Sequence, residues 1–165
     1  MRADSCQGYH STGLVLFPEK EKKDEVVLAL LHSDVTRDII SAFYTVYNEL
    51  GYGFLESVYH AAMMEELRQL GRSAQSEHPI NVYYRGTVVG HFFADIIVEK
   101  CVIVELKTVK ELAPEHYQQM INYLKATRYE VGLLMNFGPE AKYDRKVYGN
   151  RRKGSLVWSE ETTIP

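Results

Sequence analysis

The chain has 165 residues, which is long enough to bury one hydrophobic core and favours a single domain. Its formal net charge of −3 and pI near 6.1 argue against a globally basic protein that holds a long duplex through many phosphates. The two cysteines, Cys6 and Cys101, do not make a disulfide framework and favour a reducing, cytoplasmic location. Apolar runs stay short of membrane-spanning length, so no membrane partner is expected.

The first part of the chain predicts a leader followed by two helices. Residues 1–30 contain glycines, a proline and a mixed-charge run, which predict a leader that is only partly ordered. Apolar residues at helical spacing predict a first helix over residues 35–50 and a second over about 54–70. The glycines of Gly51-Tyr52-Gly53 suit the sharp corner between the two helices.

The middle of the chain alternates between strand and helix character. The segments with strand character are residues 80–84, 87–98, 101–109 and 131–137. A helix opens near Pro114 and ends near Thr127, between the last two of these strands. A strand, a helix and a further strand predict a parallel crossover, and therefore an α/β fold with a mixed central β-sheet flanked by helices. The domain would span residues 31–150, with an edge strand near its end and a basic tail over 151–165.

Charged residues interrupt two of these strongly apolar strands. Asp95 lies in one strand, and Glu105 and Lys107 lie in the next. A carboxylate in a dry core costs several kcal/mol, on the order of 5, unless it is paired or bound to a metal. Either a buried ion-pair cluster that fixes the strand register or a metal site explains all three.

The length of the turn between these strands decides whether the charges meet. A two-residue turn at Glu99-Lys100 would put Asp95 and Glu105 on opposite faces. A three-residue turn over residues 99–101 puts Asp95 directly opposite Glu105, with Lys107 further along the same face. Lys100 or Cys101 would then take the left-handed position. We predict the three-residue turn.

The converging charges suit the hydrolysis of a phosphodiester. Mg²⁺ prefers oxygen ligands, and Asp95, Glu105 and the backbone carbonyl of Leu106 would supply three of them. Lys107 would bind the scissile phosphate or position the attacking water. The residue types predict a metal-dependent phosphodiesterase site.

Three further residues on helices are candidates for the same pocket. Gln119 and Tyr123 are four residues apart and share one helix face, where they either aim at the pocket or serve ordinary packing. Glu56 lies in the first turn of its helix, where the helix dipole favours a carboxylate and a capping role is the plain alternative.

Several of these residues together resemble a known family. The stretch Gly53-Phe-Leu-Glu56-Ser-Val-Tyr59 is similar to the signature of the GxxExxY proteins, which are assigned to the PD-(D/E)XK nuclease-like superfamily. Asp95 with Glu105-Leu106-Lys107 resembles the core motif of that superfamily. Gln119 and Tyr123 resemble the Gln-x-x-x-Tyr element of its exonuclease-like branch. The resemblance covers residues 31 to 138, and its four elements occur in the expected order.

The resemblance implies a restriction-endonuclease-like core and a Mg²⁺-dependent nuclease, with Mn²⁺ as a further candidate ion. It also implies that Glu56 is a metal ligand, either direct or through water. The implied metal set is Glu56, Asp95, Glu105 and Leu106, and the implied catalytic set is Glu56, Asp95, Glu105, Lys107, Gln119 and Tyr123. The alternative is a catalytically silent module that binds nucleic acid or protein. DNA is expected before RNA, and the small acidic chain suggests a homodimer or a protein partner.

Overall fold

A five-stranded sheet forms the middle layer of the protein, which we describe from a computed structural model at residues 27–28 and 30–153. The strands lie side by side in chain order, and β3 and β4 are parallel while the other neighbours are antiparallel. They are β1 (Ala74–Tyr84), β2 (Thr87–Val98), β3 (Val102–Lys107), β4 (Val131–Phe137) and β5 (Ala141–Val147). The predicted mixed sheet, its parallel crossover and the edge position of the last strand are confirmed. Most of the predicted leader, and the predicted tail after residue 153, lie outside the described residues.

Three helices cover the two faces of the sheet. Helices α1 (Ser33–Leu50) and α2 (Glu56–Gln69) pack on one face, and α3 (Pro114–Ala126), which connects β3 to β4, packs on the other. The first face buries the larger cluster of apolar side chains, with Ile39 and Phe43 from α1 and Met63 from α2 among its members. In the part of the chain that the structure describes, no helix has the length and apolar character needed to cross a bilayer.

Strand β1 is longer than the sequence pattern predicted. It begins at Ala74 rather than at Ile80, because its first half pairs with β2 from Ala74 opposite Val98 onward. The side chains of this half are polar and mostly exposed, so hydrophobic alternation gave no signal there. Pro79 is tolerated in it because β1 is an edge strand with one side free of ladder hydrogen bonds.

Within the predicted basic tail, Arg151 and Arg152 are exposed, whereas Lys153 is buried. A short 3₁₀ helix over Asn150–Arg152 leads into Lys153, whose side chain is 3% exposed. The Nζ of Lys153 donates to the carbonyl oxygens of Thr127 at 2.8 Å and Tyr129 at 2.6 Å. Burial lowers the pKa of Lys153 to about 8. This lysine therefore holds the chain after α3 in place, and the expectation that the whole tail is solvated or faces phosphates is wrong for it.

Candidate active site

The turn between β2 and β3 contains three residues. Val98 pairs with Val102 and Ile96 with Val104, which leaves residues 99–101 as the turn. Glu99 and Lys100 take the left-handed conformation with φ of 51° and 52°. The prediction of a three-residue turn is confirmed, although the left-handed conformation begins at Glu99, one residue earlier than expected.

Two hydrogen bonds with Ser73 hold Glu99 in this conformation. The backbone N–H of Glu99 donates to the carbonyl of Ser73 at 2.8 Å, and the carboxylate of Glu99 accepts from the N–H of Ser73 at 3.1 Å. These bonds offset the steric cost of a left-handed residue that is not glycine. The segment before β1 therefore helps to fix the register of the β2–β3 hairpin.

The same register brings Asp95 and Glu105 together, and their carboxylates tie the two strands to each other. The Oδ2 of Asp95 accepts from the N–H of Leu106 at 2.7 Å, and the Oε1 of Glu105 accepts from the N–H of Asp95 at 3.3 Å. Each carboxylate is thus held by the backbone of the opposite strand. The two side chains are positioned by the hairpin itself and not by flexible loops.

Burial and charge strongly perturb Glu105. Its side chain is 2% exposed, and the Nζ of Lys107 lies 3.4 Å from its Oε2. Burial raises the pKa of Glu105 to about 8, the negative charge of Asp95 acts in the same direction, and Lys107 opposes both. A buried carboxyl with a pKa this far above its usual range, next to another carboxylate and a lysine, is typical of a functional site.

Glu56 is half-buried at the start of α2. It is the first residue of α2, and the cap of that helix makes no side-chain hydrogen bond. Burial raises the pKa of Glu56, the charge of Lys107 opposes that shift, and the charge of Asp95 adds to it. The charges of Lys107 and Asp95 thus act on the Glu56 carboxyl, and its place in the first turn also suits an interaction with the helix dipole, so the capping alternative stays open.

Gly53 and Tyr59 shape the loop that delivers Glu56. Gly53 has a φ of 111°, a conformation that favours glycine. The hydroxyl of Tyr59 donates to the carbonyl of Gly51 at 2.8 Å and accepts from the N–H of Phe54 at 3.3 Å. The ring of Tyr59 stacks on Phe137 with centroids 4.3 Å apart, so the loop is anchored on the core. Gly53 and Tyr59 thus shape the loop that leads into Glu56.

Gln119 and Tyr123 reach the same cluster from α3. The Nε2 of Gln119 donates to the hydroxyl of Tyr123 at 2.7 Å, and Tyr123 is 5% exposed. Burial raises the pKa of Tyr123, and the charges of Glu105, Lys107 and Asp95 also act on it. The two side chains are linked as a pair on one helix face, and that face meets the acidic cluster.

The sequence analysis missed two histidines that border the site. The Nε2 of His60 lies 3.1 Å from the backbone carbonyl oxygen of Asp95 and 3.1 Å from the Oγ of Ser76. The Nδ1 of His116 accepts from the N–H of Ala113 at 3.0 Å in the first turn of α3. His60 lies one helical turn after Glu56 on α2, and that spacing was the available signal for it.

The β1–β2 hairpin changes the face that it presents at Asp95. Ile96 packs in the α1–α2 cluster, whereas Ala94 packs in the α3 cluster, although two residues apart in a regular strand share a face. The register places Glu77 opposite Asp95, and Glu77 has a left-handed φ of 51°. The part of the hairpin between Ile80 and Ala94, which includes its turn, therefore packs toward α3.

The side chains of the site fit a divalent metal ion that keeps several of its waters. Among the described residues, no three His, Cys, Asp or Glu side chains converge closely enough to hold a metal ion by themselves. Mg²⁺ commonly keeps several waters and uses only one or two protein carboxylates, so Asp95 and Glu105 fit it as a pair. A cation there would also offset the cost of charging the buried Glu105. The roles of Glu56 and the carbonyl of Leu106 as further ligands stay predictions.

Comparison with known proteins identifies the class. A family model described as the PD-(D/E)XK nuclease superfamily matches residues 33–147, and the chain belongs to this superfamily. The mixed sheet with flanking helices agrees with a restriction-endonuclease-like fold. The narrower assignment to the GxxExxY proteins is not tested by this match and stays a prediction.

The crystal structure of SSO0001 is similar to part of this chain. The alignment covers 62% of this chain and 54% of that one, with 18% sequence identity and a TM-score of 0.46. This chain therefore spans about half the length of that protein. No curated protein gives a significant sequence match.

Proposed function

We propose that the protein is a metal-dependent nuclease that hydrolyses phosphodiester bonds in nucleic acid. The observation that carries the proposal is the meeting of Asp95, Glu105 and Lys107 at one point of the β2–β3 hairpin. Membership of the PD-(D/E)XK nuclease superfamily supports it, because members of this superfamily typically use divalent metals. Mg²⁺ is the proposed ion, with Mn²⁺ as a substitute, and DNA is proposed before RNA.

Asp95 and Glu105 would hold the ion, with Glu56 and the carbonyl of Leu106 contributing through water. When bound, a divalent ion polarises the phosphoryl group and lowers the pKa of water. The backbone hydrogen bonds to both carboxylates keep them oriented before any ion arrives. Such preorganisation reduces the reorganisation needed at the moment of reaction.

Lys107 would act on the substrate itself. Its ammonium group lies beside the carboxylate of Glu105, with a side chain that is 16% exposed. From there it would neutralise an oxygen of the scissile phosphate and hold the attacking water in line with the bond that breaks. Gln119 and Tyr123 would contribute an amide and a phenol that orient the phosphate from the α3 side. These roles follow from residue chemistry and position.

The alternative is a catalytically silent module that keeps the fold and binds nucleic acid or protein. One observation favours it: every buried side-chain nitrogen and oxygen among the described residues has a hydrogen-bond partner. The acidic cluster is therefore satisfied internally, with Lys107 as its counter-ion. A buried ion-pair cluster of this kind would fix the strand register without any catalytic role.

Metal titration separates the two proposals. Isothermal calorimetry with Mg²⁺ or Mn²⁺ should show binding to the wild-type protein that Asp95→Asn abolishes. Asparagine keeps an oxygen that can accept from the N–H of Leu106, so the hairpin should survive the substitution. Asp144→Asn on β5 serves as the matched control and should bind like the wild type. If the wild-type protein takes up no divalent ion at millimolar concentration, the nuclease proposal fails and the silent module remains.

Location and assembly belong to the same proposal. The low cysteine content and the free thiol of Cys101 support a reducing, cytoplasmic location. The small size and acidic charge suggest that the protein works as a homodimer or with a protein partner. Light scattering on the purified protein tests self-association directly.

A further inference from the structure

Two exposed aromatic rings lie on segments that carry residues of the candidate active site. Phe92 on β2 is 47% exposed, and its ring centroid lies 5.8 Å from that of Tyr123. Phe54 is 51% exposed, lies two residues before Glu56, and meets the ring of Tyr59 edge-on at 6.3 Å. Phe92 thus contacts a residue of the candidate site, whereas Phe54 is connected to the site through the loop that leads into Glu56.

The position of Phe92 is a consequence of the change of face at Asp95. Phe92 lies two residues before Ala94, which packs in the α3 cluster, and it contacts Tyr123 of that helix. Phe93 is 60% exposed, and strand alternation points it to the other side of the hairpin. The chain therefore offers two neighbouring phenylalanines, both exposed, of which one contacts Tyr123.

The chemistry of these rings indicates what they would contact. An exposed aromatic face next to a group that binds phosphate can stack a nucleobase, and such stacking is tolerant of sequence. The bases of a duplex are already stacked and paired, so they are not free to use these platforms. The net charge of −3 also argues against the extensive phosphate contacts on which duplex binding depends.

Resting on the proposed nuclease function, we infer that the site takes nucleic acid whose bases are unpaired next to the scissile phosphate. Phe92 stacks a base on one side of that phosphate, and Phe54 borders the other side. A protein partner fits these two rings less well, because they lie beside the charged cluster of Glu56, Glu105 and Lys107. Glu105 is already buried, but Glu56 and Lys107 are only partly buried, and an apolar protein surface would have to remove their remaining water.

Binding to three labelled oligonucleotides of one length tests the inference. They are a single strand, the matched duplex and a single strand with abasic sites, measured by fluorescence anisotropy with Ca²⁺ in place of Mg²⁺. The wild-type protein should bind the single strand at least about five-fold more tightly than the abasic strand, the smallest effect expected from one stacked base. The duplex should bind more weakly than the single strand.

Variants assign the effect to one ring. Phe92→Leu should weaken single-strand binding by about five-fold or more and leave binding of the abasic strand unchanged. Phe92→Tyr keeps an aromatic face and should bind like the wild type. Phe93→Leu is the matched control and should also bind like the wild type. If Phe92→Leu does not fold, the comparison of normal and abasic strands on the wild-type protein still decides.

The outcomes separate this inference from the proposed function. Equal affinity for the normal and abasic strands overturns the inference, and metal-dependent cleavage in the same preparation would leave the nuclease proposal standing. Failure to bind or cut any nucleic acid overturns both. If Phe92→Leu lowers the mass measured by light scattering and does not change oligonucleotide binding, the ring belongs to a protein interface and the inference is wrong.

Discussion

The two faces of the sheet differ in what they bury. The face toward α1 and α2 buries a large cluster of hydrophobic side chains, with contributions from β2, β3 and β4. The face toward α3 buries a smaller cluster around Ile103, Met120 and Leu124. On that second face β3 carries the buried Glu105. Tyr123 of α3 lies across from Glu105 and accepts a hydrogen bond from Gln119.

The difference shows how one domain can be stable and still contain a site with energetically unfavourable buried charges. Burial destabilises the charged form of Glu105 and so raises its pKa. The surrounding structure has to compensate for this free-energy cost. The larger cluster anchors the central strands from the opposite face, so hydrophobic packing supports the register of β3 in addition to the hydrogen bonds of Asp95 and Glu105. The α3 face is therefore free to hold groups that would weaken an ordinary core.

The largest expected effect is on activity, at Lys107. Lys107→Ala should lower metal-dependent cleavage by about 100-fold or more, because a positioned charge at the phosphate acts mainly in the transition state. Stability should change little by comparison, since the pKa of Glu105 lets that carboxyl take a proton when its counter-ion is removed.

Lys110→Ala is the matched control for this prediction. Lys110 is exposed, lies three residues further along the chain, and its substitution should leave cleavage unchanged. Cleavage is followed with a labelled oligonucleotide at saturating Mn²⁺, and urea denaturation reports stability. Cleavage that survives Lys107→Ala at the wild-type rate would mean a contaminating nuclease or a different site.

A matched pair of isoleucines compares the two faces directly. Ile39 on α1 and Ile103 on β3 are both fully buried, one in each cluster. Replacing either with alanine should lower the free energy of unfolding by about 2–5 kcal/mol. Only Ile103→Ala should also lower cleavage by the remaining folded protein, because Ile103 lies two residues before Glu105.

Urea denaturation and cleavage well below the unfolding transition measure these two effects separately. Equal losses of cleavage in both variants would show that the two faces do not divide stability and function in this way.

Much of this arrangement could be predicted from the sequence, for a local reason. Asp95, Glu105 and Lys107 contradict the apolar pattern around them, and counting residues in one turn was enough to bring them together. Glu56 could not be placed by counting, since the corner at Gly53 and the anchor of Tyr59 on Phe137 are long-range features. The polar first half of β1 gave no signal because backbone pairing, not side-chain burial, holds it in the sheet.

The role of Lys153 and the change of face at Asp95 were equally beyond the sequence. A lysine in a basic segment is expected to be exposed, and the hydrogen bonds of Lys153 to the carbonyls of Thr127 and Tyr129 account for its burial. The change of face depends on the left-handed conformation of Glu77, and a glutamate does not predict that conformation from its residue type. Both features depend on contacts that form only when distant segments pack.

The smallest effect concerns the dependence of stability on pH in the metal-free protein. The pKa of Glu105 is about 8 in the folded protein, against 4.5 for an ordinary glutamate side chain. Between these values the folded state keeps a proton that the unfolded state has released, so the free energy of unfolding should fall as pH rises from about 5 to about 8. The slope from this one group is on the order of 1 kcal/mol per pH unit.

Glu105→Gln removes the titrating group and keeps the shape of the side chain, so this slope should largely disappear, and the variant should be more stable than the wild type at pH 8. Urea denaturation in EDTA at pH 5, 6.5 and 8 measures it, with Glu49→Gln on the exposed side of α1 as the control that should keep the wild-type slope. Parallel slopes in the wild type and Glu105→Gln would mean that Glu105 is already charged at neutral pH. The α3 face would then hold its carboxylates without the energetic cost that distinguishes it from the α1–α2 face.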